Sequence, residues 1–163
     1  MCFEADSQPP IAPIAGAAVD AQDSILHSTD GTEFAAYTVR AADPKGPAVV
    51  VMPDVRGLFR FYEELAIRFA EQGYDTIAID YFGRTAGVDK RNDEFSFQEH
   101  VAQTKLGYLT QDVAAAVREL RTRSSLEDRE VFTVGFCFGG SNSWLQAAGG
   151  HGLAGAIGFY GNP

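Results

Sequence analysis

Cysteine is scarce in this sequence, where Cys2 and Cys137 are the only two among 163 residues. The two lie far apart in dissimilar surroundings, which argues against a disulfide framework. Residues 1–20 contain no lysine or arginine, and prolines stand where a signal peptide or a membrane span would have a continuous apolar run. From these absences we expect a cytoplasmic protein without a membrane partner.

Basic residues are also in the minority, since 13 Lys and Arg face 22 Asp and Glu for a net charge of −9. This balance argues against nucleic acid or an anionic membrane surface as a partner. It does not exclude a small anionic substrate, because two arginines in a pocket can outweigh the net charge locally. His, Cys and Asp form no cluster with metal-ligand spacing, so we predict neither a metal nor another cofactor.

Hydrophobic residues make up 45% of the chain, enough for one globular domain over residues 1–163. A turn signal at 29–31 predicts a β-hairpin, preceded by an extended arm over residues 1–20. Apolar runs and helical periodicity then predict alternating strands and helices. The predicted strands are 48–52, 76–79, 130–134 and 153–159, and the predicted helices are 61–72, 109–120 and 141–148. This order predicts an α/β fold with a doubly wound, mostly parallel sheet.

Residues 130–143 carry the strongest chemical signal. A buried strand leads into Gly135-Phe136-Cys137-Phe138-Gly139, and a helix follows. The spacing matches the nucleophile elbow G-x-S-x-G of α/β-hydrolases, with cysteine in the serine place. At a helix N-terminus, backbone N–H groups and the helix dipole favour a thiolate. A buried structural cysteine is the alternative interpretation, whereas the phosphate-binding G-x-G-x-x-G and G-K-[ST] patterns are missing here.

Two further stretches follow predicted strands and should meet Cys137 at the carboxyl edge of the sheet. They are Pro53-Asp54-Val55-Arg56-Gly57-Leu58 and Asp80-Tyr81-Phe82-Gly83-Arg84. Together with the cysteine elbow, in this order and spacing, they resemble the dienelactone hydrolase (carboxymethylenebutenolidase) family over essentially the whole chain. The resemblance implies a hydrolase of a small carboxylated lactone or ester that acts through an acyl-thiol intermediate. A broader esterase or thioesterase on the same fold, and a catalytically dead fragment, are the alternatives.

The resemblance also assigns site residues. Cys137 matches the nucleophile, and the backbone N–H groups of Phe138 and Val55 match the oxyanion hole. Asp54 falls where the family places a glutamate that binds the resting thiol, although ordering of its own loop is an equally weighted role. Arg84 matches the arginine that binds the substrate carboxylate, with a surface ion pair as the alternative, and Arg56 lies near the same mouth.

The residues after Cys137 include no Asp or Glu and only one histidine, His151, which should lie at the opposite edge of the sheet. By resemblance, further strands with the triad Asp and His are expected beyond Pro163, so we expect the N-terminal part of a longer protein. Residues 83–105 have many charges and little periodicity, which favours a lid over the active site or a solvated loop.

Overall fold

The structure, a computed structural model, describes residue 4 and residues 6–15, 19–122 and 128–162. Its strands are β1 (Val19–His27), β2 (Glu33–Ala41), β3 (Ala48–Met52), β4 (Asp75–Ile79), β5 (Val131–Phe136) and β6 (Gly155–Phe159). Its helices are α1 (Arg60–Glu71), α2 (Gly83–Ala86), α3 (Phe97–Gln103), α4 (Leu106–Thr122) and α5 (Phe138–Gln146). None of the helices in these ranges is both long and apolar enough to cross a lipid bilayer.

The strands form one mixed sheet in the order β1-β2-β4-β3-β5-β6. The hairpin strands β1 and β2 are antiparallel, and β2 joins β4 in the antiparallel sense. The pairs β3–β4, β3–β5 and β5–β6 are parallel. The predicted doubly wound α/β fold with an N-terminal hairpin is therefore confirmed.

Two apolar cores cover the two faces of this sheet. Helix α1 packs its buried Phe61, Tyr62 and Leu65 on the face that presents Val49 and Val51. Helix α4 packs on the opposite face, which presents Val50 and Met52. Strand β3 is buried on both sides because it lies at the centre, which explains its uninterrupted apolar sequence.

Helix α5 lies on the same face of the sheet as α4. The Oγ1 atom of Thr133 in β5 is 2.8 Å from the Oγ atom of Ser143 in α5, and both residues are buried. The chain runs from β3 to the neighbouring β4 and then crosses back over β3 to β5. The carboxyl ends of β3 and β5 therefore flank a topological switch point, where ligands bind in open α/β sheets.

Two regions differ from the sequence-based boundaries. Strand β1 begins at Val19, inside the predicted arm, because its whole length pairs with β2 in a regular antiparallel register. The segment 83–105 contains the short helices α2 and α3 rather than continuous loop. Cys2 lies outside the described residues.

Candidate active site

Cys137 occupies a sharp turn between β5 and α5. Its φ of 55° and ψ of −116° are unusual for a residue with a side chain. The backbone is held on both sides, since Cys137 N–H donates to the Phe159 carbonyl at 2.9 Å and the Cys137 carbonyl accepts from Ser141 N–H at 3.1 Å. The half-buried Cys137 thus lies on the last residue before α5, at the carboxyl edge of the sheet.

Glycines allow this turn because backbones approach closely around it. A Cβ on Gly139 would lie 2.1 Å from the Met52 carbonyl oxygen and 2.2 Å from that of Pro53. A Cβ on Gly135 would lie 1.9 Å from the Gly139 oxygen. Only glycine fits at these positions, so the first turn of α5 can rest directly on the end of β3.

The loop after β3, residues 53–57, carries Asp54, which is fully buried. Asp54 Oδ1 accepts from Arg56 N–H at 2.9 Å and from Arg56 Nε at 3.1 Å. Asp54 Oδ2 accepts from Arg56 Nη2 at 2.8 Å and from the Tyr62 hydroxyl at 3.0 Å. These bonds match the roughly four acceptor positions of a carboxylate and show a loop-ordering role. A contact of Asp54 with the Cys137 thiol stays a prediction.

Arg56 lies beside Asp54, with its guanidinium carbon 4.3 Å from the centre of the Phe59 ring. Its side chain keeps 24% of its surface exposed. Val55, between Asp54 and Arg56, is half-buried in the same turn, and Phe138 is the first residue of α5. The fold therefore gathers Cys137, Phe138 and the loop 53–57 at the switch point.

Arg84 is placed differently, in α2 beside the hairpin turn. Its Nη1 donates to both oxygens of Asp112 at 2.9 and 2.8 Å, and its Nε donates to Asp30 at 3.0 Å. Asp112 is fully buried and also accepts from the Ser28 hydroxyl. Arg84 therefore joins α2, α4 and the hairpin in this structure. Its role toward a substrate carboxylate stays a prediction.

Two tyrosines that sequence reasoning did not single out contact this region. The Tyr81 hydroxyl donates to the Pro53 carbonyl at 2.8 Å, and the Tyr81 ring meets the Phe138 ring edge-on with 5.3 Å between centroids. The Tyr62 hydroxyl binds Asp54, as described. Burial first, and then the nearby charge of Asp54, raises the pKa of both phenols above the ordinary value. In the sequence, Tyr62 lies in the predicted helix 61–72 and Tyr81 follows the predicted strand 76–79, and neither position shows where a hydroxyl points.

Asp80 binds backbone amides of the two loops that follow β3 and β4. Its carboxylate accepts from the backbone N–H groups of Leu58 at 3.0 Å and Phe82 at 2.9 Å. It also pairs with the buried Arg91, whose Nη2 lies 2.9 Å from Oδ2. Arg91 donates further to the Gly87 carbonyl at 2.7 Å, so this ion pair anchors the segment 83–105.

The three histidines have distinct surroundings. His27 is exposed near Glu33, and the His100 ring stacks on Phe95 with 4.9 Å between centroids. His151 lies before β6, at the amino edge of the sheet, with its Nε2 2.8 Å from Gln146 Oε1. Burial and then the charge of Arg121 lower the pKa of His151. The position of His151 agrees with the sequence-based expectation.

A cavity of about 510 Å³ lies between the hairpin and the start of the segment 83–105. Leu58, Glu63 and Lys90 are among the residues that line it, and Cys137 is not. Across the described residues, no three His, Cys, Asp or Glu side chains are grouped so that they could hold a metal ion.

A known protein family accounts for the elbow, the loop after β3 and the sheet topology. The profile of the dienelactone hydrolase family matches residues 34–163. The chain belongs to the dienelactone hydrolase family. The match begins in β2 and includes the loop 53–57, Asp80 and the elbow, which confirms the resemblance inferred from the three motifs.

Individual members of the family are similar over most of this chain. A carboxymethylenebutenolidase of Rhodococcus opacus is 30% identical over 152 residues, which are 91% of this chain and 54% of that protein. The enzyme of the same name from Pseudomonas putida is 28% identical over 83% of this chain and 59% of its own. The chain thus spans about half the length of these curated relatives.

Solved structures give the same picture of the fold. A Klebsiella pneumoniae protein named as a dienelactone hydrolase superposes with a TM-score of 0.76 at 25% identity, covering 89% of this chain and 61% of that one. The dienelactone hydrolase-like phosphotriesterase P91, from metagenomic libraries, superposes with a TM-score of 0.70 at 24% identity, covering 90% and 60% of the two chains. At this identity, P91 supports the fold alone.

Proposed function

We propose that this chain carries the nucleophilic part of a hydrolase of small lactones and esters, with Cys137 as the nucleophile. The observation that carries the proposal is the backbone of Cys137, with φ of 55° and ψ of −116° directly before α5. A residue with a side chain is held in such a conformation only when its surroundings enforce it, and such strain is concentrated at functional sites. Membership of the dienelactone hydrolase family supports the lactone or ester as the substrate class.

The proposed chemistry uses the end of α5. The thiol of Cys137 loses its proton to solvent or a base, and the helix N-terminus favours the resulting thiolate. The sulfur attacks the carbonyl carbon, and the N–H groups of Phe138 and Val55 stabilise the oxyanion. The bond to the leaving oxygen then breaks, and that oxygen takes up a proton from water. A second water hydrolyses the acyl-thiol, which releases the acid and regenerates the Cys137 thiol.

For the substrate we propose a carboxylated lactone or ester. Relatives of this chain are named carboxymethylenebutenolidase. Of the two arginines that the sequence nominates, Arg56 is better placed because it lies in the loop beside the elbow and is partly exposed. Arg56 is itself paired with one carboxylate, that of Asp54. Arg84, by contrast, is held by two, those of Asp112 and Asp30.

The nucleophile can be tested on this chain with p-nitrophenyl acetate, which releases coloured p-nitrophenolate when it acylates a thiolate. We expect a burst close to one equivalent and an acetyl adduct on Cys137, identified by peptide mass spectrometry. The Cys137→Ala variant should show neither. A burst of the same size in Cys137→Ala, or an adduct confined to Cys2, would contradict the proposal.

A further inference from the structure

The peptide unit between Pro53 and Asp54 is held at both of its polar ends by buried tyrosine hydroxyls. Tyr81 donates to the carbonyl oxygen of this unit at 2.8 Å. Tyr62 accepts from its N–H, which belongs to Asp54, at 3.0 Å. A planar peptide held at its oxygen and its nitrogen cannot rotate, so the two bonds fix the orientation of the plane.

The two tyrosines reach this peptide from opposite faces of the sheet. Tyr62 projects from α1 and belongs to the core on that side, where it is 0% exposed. Tyr81 follows β4 and belongs to the core on the α4 side, where it is 3% exposed. Rings locked in two packed cores give their hydroxyls fixed positions. Both phenols have a pKa above the ordinary value, so each remains protonated at neutral pH.

The same peptide is in contact with the elbow. Gly139 lies so close to it that a Cβ there would be 2.2 Å from the Pro53 oxygen. The Tyr81 ring also meets the ring of Phe138, the first residue of α5. Tyr81 therefore contacts both segments whose backbone N–H groups would form the oxyanion hole.

We infer that Tyr62 and Tyr81 are positioning residues that fix the N–H of Val55 relative to the N–H of Phe138. The Val55 N–H belongs to the next peptide along the chain, so its direction depends on the plane that the tyrosines hold. This inference rests on the proposed function. Oxyanion-hole donors stabilise the transition state only when they are aimed in advance at the developing charge.

The test compares two reactions of one thiol. Acylation by p-nitrophenyl acetate develops an oxyanion, whereas alkylation by iodoacetamide displaces iodide at a saturated carbon and develops none. We expect Tyr81→Phe and Tyr62→Phe to slow Cys137 acylation roughly 10-fold, below the ~10²–10³-fold effect of deleting an oxyanion-hole donor. The alkylation rate should stay within about twofold, because the elbow and the thiolate remain intact.

Tyr108→Phe is the matched control, since it removes a phenol hydroxyl from α4 beside Arg84. It should leave both rates unchanged. The inference would be overturned if Tyr62→Phe and Tyr81→Phe both left the ratio of the acylation rate to the alkylation rate unchanged. This holds whether the two rates stay the same or fall equally. If Tyr62→Phe does not fold, Tyr81→Phe decides alone. A parent chain without Cys137-dependent acylation would instead overturn the proposed function, and the positioning role with it.

Discussion

At the scale of single residues, the site depends on strain at Cys137 and on the glycines that permit it. A non-glycine residue in a sparsely populated backbone region costs on the order of 1–3 kcal/mol. The packing of α5 against β3 and β6 offsets that cost through Gly139 and Gly140, because a Cβ on either would approach backbone oxygens to within 2.5 Å. The strained position is also the candidate nucleophile, and the rest of the elbow is built around it.

Gly139→Ala tests this dependence. The added methyl would meet the Met52 and Pro53 carbonyl oxygens, so we expect a loss of roughly 2–4 kcal/mol in the free energy of unfolding, in the range of severe overpacking. Acylation of Cys137 should fall in parallel. Gly107→Ala in α4 is the matched control, because nothing lies within 4 Å of its Cβ. It should be neutral or stabilising by up to about 1 kcal/mol. Urea unfolding measures both, and equal stabilities for the two variants would contradict the prediction.

At the scale of elements, strong apolar patterns predicted structure well. The bounds of β3 agree with the sequence-based strand, and α1 differs by one residue at each end, because central strands and amphipathic helices are set by apolar periodicity. Helices α2 and α3 were not predicted, since they are short and have no buried residues. Arg84 ties α2 to Asp30 and Asp112 through ion pairs that periodicity does not reveal.

In the candidate site, the local glycine pattern could be predicted from the sequence, whereas the partners of polar side chains could not. The glycine spacing around Cys137 predicted the elbow, because a sharp turn requires small residues locally. The hydroxyl partners of Tyr62 and Tyr81 could not be predicted, because a sequence pattern does not show where a hydroxyl points, and Tyr81 and Pro53 are also 28 residues apart. The ion pairs of Arg84 depend in the same way on Asp30 and Asp112.

Arg91→Ala tests the anchor of the segment 83–105. The substitution leaves the fully buried Asp80 without its ion pair, which should cost about 3–5 kcal/mol of the free energy of unfolding. Arg60→Ala is the control, since it breaks the pair with Glu64 on the surface of α1 and should cost at most ~0.5 kcal/mol. Urea unfolding compares them, and limited proteolysis should cut the segment 83–105 faster only in Arg91→Ala. Similar costs for the two arginines would show that Asp80 does not need Arg91.

At the scale of the whole molecule, the two edge strands of the sheet, β1 and β6, differ in their charged residues. Strand β1 carries Asp20 and Asp23, and such charges discourage pairing with another chain. Strand β6 has no charged residue, and in the part of the chain that the structure describes it pairs only with β5. Ile157 and Phe159 are 46% and 48% exposed on it, and α5 adds Leu145, which is 49% exposed.

We therefore expect this 163-residue chain to self-associate through β6 as its concentration rises. Ile157→Lys should weaken the association about 10-fold or more, because a lysine buried in a strand-to-strand contact costs at least ~1.4 kcal/mol. Ile25→Lys is the matched control, since Ile25 is 49% exposed on the acidic strand β1. Sedimentation velocity over a concentration series should show the same association for Ile25→Lys as for the parent. A parent that stays monomeric throughout, or equal effects of the two substitutions, would show that β6 is not the contact surface.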